Sequence, residues 1–331
     1  MELFFLAALS AAGNGAGSAS GMTQANLLSP SADTAGGESF VWGSYEGPEG
    51  SRRYKIFVPS KGGSPKRLLV MLHGCTQDPD DFARGTRMNA VAGAQGFAVL
   101  YPEQPATANP LKCWNWFAAA HQKRGQGEPA LLASMIRKVV AEQKIDPSKV
   151  YVAGISAGGA MTAIFGATYP ELVAGLAIHS GIAYGLATDV SQALGAMRTP
   201  QADVEALGKL AIDAMGERRK PVPVVIIQGS KDASVSAANA GLLGAQWRSV
   251  NEVPGLAVTP LESTATVDSY PTRFHAYRGN HPRSFVHEWL VDGLAHAWSG
   301  GSKEGTYTDE KGPNASCAIV GFFLMAEKNE K

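Results

Sequence analysis

The feature that most constrains the fold of this chain is a series of short, continuous apolar runs, each ending in Gly, His or Pro. They are RLLVMLH (67–73), FAVLYP (97–102), KVYVAG (149–154), VAGLAIH (173–179) and VPVVIIQG (222–229). A strand with one wet face alternates polar and apolar residues, whereas a run without alternation is covered on both faces, as in a parallel sheet. Helical patterns separate the runs. The clearest is 129–143, with Pro129 in the first turn and Leu132, Met135, Ile136, Val139 and Val140 recurring at three- and four-residue spacing. Alternating strands and helices predict an α/β fold with a mostly parallel, doubly wound sheet and right-handed crossovers. In such sheets the chemistry lies beyond the carboxyl ends of the strands.

Two further segments modify this plan. Residues 39–46 and 52–58 flank a Gly/Pro/Glu turn and read as an antiparallel entry hairpin. Residues 181–220 interrupt the alternation with two helix-like pieces, either a lid or rim over the site or a surface excursion without a role.

With 331 residues, 45% of them hydrophobic, the chain buries a full core, and one domain over 39–328 is expected. Lys plus Arg equals Asp plus Glu at 29 each, so no net field gathers nucleic acid, phosphates or an anionic membrane. The expected partner is a small or oligomeric neutral molecule, with no nucleic acid and no stable membrane insertion. Residues 1–38 read as a signal-like or disordered leader. Its apolar run, MELFFLAALSAAG, is too short to span a bilayer and lacks the basic start of a full signal peptide. The corresponding expectation is an extracellular or periplasmic protein, or a cytoplasmic one if translation starts at Met22.

The run KVYVAG leads directly into Gly154-Ile155-Ser156-Ala157-Gly158 and then a helix-like stretch, 161–169. This is the G-x-S-x-G elbow in its strand–turn–helix context, which presents the Ser156 hydroxyl at a helix N-terminus. A serine hydroxyl needs a base. Of the seven candidate histidines, His73, His121, His179, His275, His281, His287 and His296, His275 and His287 fall in probable strands and His281 in a hairpin turn. His296 follows the last apolar run, FVHEWLVD (285–292), in the Gly-flanked loop DGLAHAWSGG. Chains with this elbow place an acid between Ser and His, and Asp232, just past VPVVIIQG, fits best; Asp189 and Asp292 are its rivals. The amides of Ala157 and of Cys75, in the loop His73-Gly74-Cys75-Thr76, are the expected donors to an oxyanion, with Thr76 the alternative to Cys75. This chemistry requires no metal and no cofactor.

Cys75 and Cys113 lie in loops beyond the carboxyl ends of strands expected to be neighbours, so they form either a disulfide or two buried thiols. Trp114 and Trp116 share a loop with Phe117, and Trp298 follows His296 by two residues. Their rings serve either as flat substrate-binding surface or as plugs over the core. Asn314-Ala315-Ser316 reads as the start of the final helix.

The segments HGCTQDPDDFARGTRMNAVA, YPEQ, CWNWF, QKRGQGEPALLASMI, VYVAGISAGGAM and GLAHAWSGG, in this order, resemble the polyhydroxybutyrate depolymerase family of esterases, related to feruloyl and acetyl xylan esterases. The resemblance runs from about Val41 to Leu324. It implies a secreted-type α/β-hydrolase with Ser156, Asp232 and His296 as its triad and the amides of Cys75 and Ala157 as its oxyanion hole. Lys231 departs from the family's usual small or acidic residue beside the acid. Because the chain ends close to the last helix, short or soluble hydroxyalkanoate-type esters are expected over crystalline polymer. Feruloyl or acetyl groups on xylan are the alternative, and a catalytically silent ligand-binding homologue is the reading from another class.

Overall fold

The computed structural model of the protein describes residues 39–60, 65–252, 265–267, 270–283 and 285–329. The expected leader, 1–38, lies outside them. Strands β1 (Ser39–Gly47) and β2 (Gly50–Val58) form the antiparallel hairpin at one edge. Next along the chain come β3 (Arg67–Leu72), β4 (Phe97–Pro102), β5 (Val150–Ile155), β6 (Gly175–His179) and β7 (Val224–Gly229). Strands β8 (Ala265–Val267), β9 (Tyr270–Arg278) and β10 (Phe285–Val291) complete the main sheet. Its order is β1-β2-β4-β3-β5-β6-β7-β10-β9-β8. The stretch from β4 to β10 is parallel throughout, and antiparallel strands lie on both sides of it. Two short strands, β11 (Trp298–Ser299) and β12 (Thr308–Asp309), pair separately after the last apolar run; neither is long enough to leave a pattern in the sequence.

The apolar runs have no polar face because helices cover both sides of the sheet. Helices α1 (Pro79–Thr86) and α2 (Met88–Gly93) lie on one side. On the other are α3 (Gly127–Glu142), α4 (Ala157–Thr168), α5 (Val190–Arg198), α6 (Val204–Met215) and α7 (Ala238–Val250). The terminal α8 (Ala315–Lys328) returns to the side of α1. Leu68, Val70 and Leu72 of β3 belong to the same buried core as Ile136, Phe165 and Trp247, while Leu69 and Met71 belong to the opposite one with Phe82, Met88 and Phe323. Each such side chain contributes roughly 1.5–3 kcal/mol through its burial.

Short polar side chains begin several helices. Asp78 Oδ1 accepts the N–H groups of Asp80 (3.1 Å) and Asp81 (2.9 Å) ahead of Pro79, Asp189 and Asp203 cap α5 and α6, and Asn314 accepts from Cys317 N–H at the head of α8. The excursion 181–220 holds α5 and α6. Buried Leu207, Ala211 and Met215 seat α6 in the core, and Asn239 Nδ2 of α7 donates to the carbonyls of Ala196 (3.0 Å) and Met197 (3.2 Å) at the end of α5.

Candidate active site

β5 ends at Ile155, and α4 begins at Ala157. Ser156 turns between them at φ 57°, ψ −120°, a left-handed conformation that an L-residue adopts only when its surroundings impose it. Two glycines make the turn possible. A Cβ on Gly158 would sit 2.6 Å from the His73 carbonyl oxygen, and one on Gly154 2.9 Å from that of Leu72, so strand and helix backbones could not approach otherwise. The Ser156 N–H donates to the His179 carbonyl at 3.0 Å, pinning the elbow to β6.

Adjacent parallel strands supply the acid and the base. Asp232 follows β7 and His296 follows β10, and His296 Nδ1 lies 2.7 Å from Asp232 Oδ2. The Asp232 side chain is fully buried. Its Oδ1 accepts the N–H groups of Ser234 (2.9 Å) and Val235 (2.8 Å), and Gln228 Nε2 donates to Oδ2 at 3.1 Å. Burial pushes this carboxyl up, but the hydrogen bond and charge of His296, with the Val235 N–H and the Ser180 hydroxyl, outweigh it and hold it below the usual carboxylate range. An anionic Asp232 keeps the imidazole proton on Nδ1, leaving Nε2 to accept. The rival acids are engaged elsewhere: Asp189 caps α5, and Asp292 accepts from Ser230 Oγ at 2.7 Å. Among the described residues no hydrogen bond joins the Ser156 hydroxyl to His296; the structure pairs acid with base and leaves the serine separate.

The loop after β3 has one free amide at the site. Gly74 N–H donates to Gln77 Oε1 (2.9 Å) and Thr76 N–H to the Leu111 carbonyl (2.6 Å). Between them, Cys75 N–H has no protein acceptor among the described residues, and Ala157 N–H, in the first turn of α4, has none within its helix. Cys75 is joined to Cys113 by a disulfide, S–S 2.03 Å.

Two buried histidines stand behind the site as neutral supports. His73 lies close to its neighbour's carbonyl through Nδ1 (2.7 Å) and accepts Gln104 N–H at Nε2 (3.1 Å), while desolvation lowers its basicity. His179 accepts Ser299 N–H at Nε2 (3.2 Å) and stacks on Trp298 (5.1 Å between ring centres); burial, then the charge of His296, pushes it down to about 3.

The three tryptophans are a correction to the substrate-binding reading. Trp114 is 0% and Trp298 1% exposed, so neither presents surface to a ligand, and Trp116 is buried edge-on against Phe117. Trp298 meets Phe82 and donates from Nε1 to Ser316 Oγ (3.1 Å). Exposed apolar surface near the site comes instead from Tyr307 (47%) and Leu111 (63%). Tyr307 stands 6.3 Å from the His296 ring, edge to face, and its hydroxyl accepts from Thr76 Oγ1 at 3.3 Å. Its loop, SKEGTYTD, has no periodicity that marks it. Among the described residues no group of three His, Cys, Asp or Glu side chains is arranged to hold a metal.

Fold and elbow together define an α/β-hydrolase. Residues 53–258 match the family described as Esterase PHB depolymerase, and the chain belongs to that family. It is 32% identical over 271 residues to poly(3-hydroxyalkanoate) depolymerase C of Paucimonas lemoignei, covering 81% of this chain and 62% of the relative. It is 36% identical over 144 residues to feruloyl esterase B of Neurospora crassa, covering 43% of this chain and 47% of that one. The chain therefore spans less than two thirds of either relative. Among solved structures, acetyl xylan esterase from Aspergillus awamori superposes with a TM-score of 0.68 at 20% identity, covering 86% of this chain and 99% of that one, a likeness of fold.

Proposed function

We propose that the chain is a serine carboxylic ester hydrolase working through an acyl-enzyme, with residues 39–328 as its catalytic domain. The observation that carries this reading is the 2.7 Å contact between Asp232 Oδ2 and His296 Nδ1, at the sheet edge where the Ser156 elbow opens. In the first half-reaction Ser156 Oγ attacks the ester carbonyl as its proton passes to His296 Nε2. The oxyanion that forms takes hydrogen bonds from the Cys75 and Ala157 amides, and the alcohol leaves with the proton from His296. Water repeats the sequence in reverse, and Asp232 stabilises the imidazolium throughout. The serine–imidazole bond tightens when a reacting group is bound.

For substrate we favour hydroxyalkanoate-type esters, on the strength of the match to the depolymerase relative over 81% of this chain. Feruloyl or acetyl esters are the second reading, supported by the shorter match to feruloyl esterase B. The Cys75–Cys113 disulfide supports an oxidising compartment, extracellular or periplasmic. No helix among the described residues is long and apolar enough to cross a membrane.

The test compares wild type with Ser156→Ala on p-nitrophenyl butyrate, hydroxybutyrate oligomers and feruloyl and acetyl esters. Hydrolysis by the wild type, with loss in the variant, is expected. Equal rates in both, or failure of a fluorophosphonate to label the wild type, would remove the reading and leave a silent binding protein.

A further inference from the structure

Gln228, in β7 and four residues before Asp232, is fully buried inside an otherwise apolar strand. Its Nε2 faces three oxygens: Asp232 Oδ2 at 3.1 Å, the Val235 carbonyl at 3.0 Å and the Gly229 carbonyl at 3.3 Å. Because all three accept, the carboxamide has one orientation; turned over, its oxygen would meet a carboxylate and two carbonyls. Its Oε1 is left without a hydrogen-bond partner among the described residues. Burying a polar atom unsatisfied works against folding, so the amide's value lies in what Nε2 holds.

What it holds is the oxygen that receives His296 Nδ1. Asp232 Oδ1 is fixed by the N–H groups of Ser234 and Val235, which sets one end of the carboxylate. Gln228 sets the other end and, being neutral, adds no charge that competes with the imidazolium. We infer that Gln228 is a positioning residue: its amide locks Asp232 Oδ2 on the line to His296 and tempers how strongly that oxygen draws the imidazole proton. This inference rests on the ester-hydrolase reading above.

Two substitutions separate positioning from bulk. Gln228→Met keeps volume and removes the donor; Asp232 then draws the imidazole proton more strongly, so the base holds a proton to higher pH. Gln228→Glu puts a second carboxyl beside the pair; buried against the Asp232 carboxylate it keeps its own proton, which still donates to Oδ2, so this variant retains the donor. The groups facing the pair are Gln228 from β7, His179 and Ser180 from the end of β6 and the Tyr307 ring from beyond β10, while Lys231 in the acid's own loop is exposed. Of these His179 stays neutral above about pH 3, and Gln228 alone is altered by the two substitutions.

With the substrate that wild type hydrolyses best, the expected result is a roughly tenfold lower kcat for Gln228→Met with KM within about twofold and an acid limb of the pH–rate profile moved upward, with Gln228→Glu returning both toward wild type. An unaltered acid limb in folded Gln228→Met overturns the inference. If neither variant folds, the side-chain amide protons of Gln228 are followed by NMR in the wild type: they should shift through the same midpoint as the acid limb, and constancy across that range overturns it. Activity of wild type and its loss in Ser156→Ala are measured alongside, so that failure of the hydrolase reading is distinguished from failure of this one.

Discussion

Gln77 Oε1 accepts the Gly74 N–H at 2.9 Å, and in doing so it determines which amide of the loop after β3 remains free. The same side chain donates from Nε2 to Asp81 Oδ2 (3.0 Å) and to the Thr306 carbonyl (3.1 Å), tying this loop to the segment that follows His296. The loop that carries the Cys75 amide and the segment that follows His296 are thus braced against each other through one buried amide.

Gln77→Leu should release the Gly74 amide and loosen the loop without emptying the core. Loss of an oxyanion donor costs about a hundredfold or more in rate; here the donor is misplaced, not removed, and about a tenfold fall in kcat is expected with KM little changed. Steady-state kinetics check this, and a change confined to KM would assign Gln77 to substrate binding.

Asp232→Asn should leave the fold intact and depress kcat by about four orders of magnitude, because an amide facing His296 favours the wrong tautomer, as in the serine protease precedent. Circular dichroism should match wild type while turnover collapses. A loss of only a few-fold would mean that Asp232 is not the orienting acid.

Stability should fall as the solution is acidified from pH 7 to pH 5. His179 and His287 are both fully buried and pushed down to about 3, by desolvation first and then by neighbouring charge. Below their unfolded value of about 6.5 the unfolded chain binds protons that the native one refuses, so stability rises with pH between about 3 and 6.5 and is lost as pH falls through that window. At pH 5 the cost is on the order of 2 kcal/mol per group. Glu288, pushed up to about 7 by burial, acts in the opposite sense over the same range, so denaturant titrations at the two pH values compare wild type with His287→Phe, which should lose part of the slope.

Cys75→Ser with Cys113→Ser, or treatment with dithiothreitol, should lower the stability by about 4 kcal/mol, the chain-entropy value for a closed loop of 38 residues. Activity should fall as well, because Cys75 supplies the free amide of the loop. Unchanged kcat after complete reduction would show that the loop holds its shape without the bridge.

The sheet was legible because fully covered strands leave an unmistakable mark: no polar residue interrupts β3 to β6, and the helices between them carry their own period. Gly154 and Gly158 were equally legible, since a turn this close admits no side chain. Order along the chain singles out Asp232 and His296, but their contact depends on β7 and β10 being neighbours, which no local pattern states. Tryptophans mislead for a related reason. Trp114 and Trp298 have the composition of a binding surface, and only packing against Phe82, His179 and His73 reveals them as core. Gln77 and Gln228 pass unnoticed for the opposite reason: a lone amide in an apolar or loop segment signals nothing until the oxygens around it are known.

The contact between Asp232 and His296 joins positions 64 residues apart in the chain, yet the strands that carry them lie side by side. The meeting of acid and base is therefore a property of sheet order, and a change that separated β7 from β10 would undo it without touching either side chain.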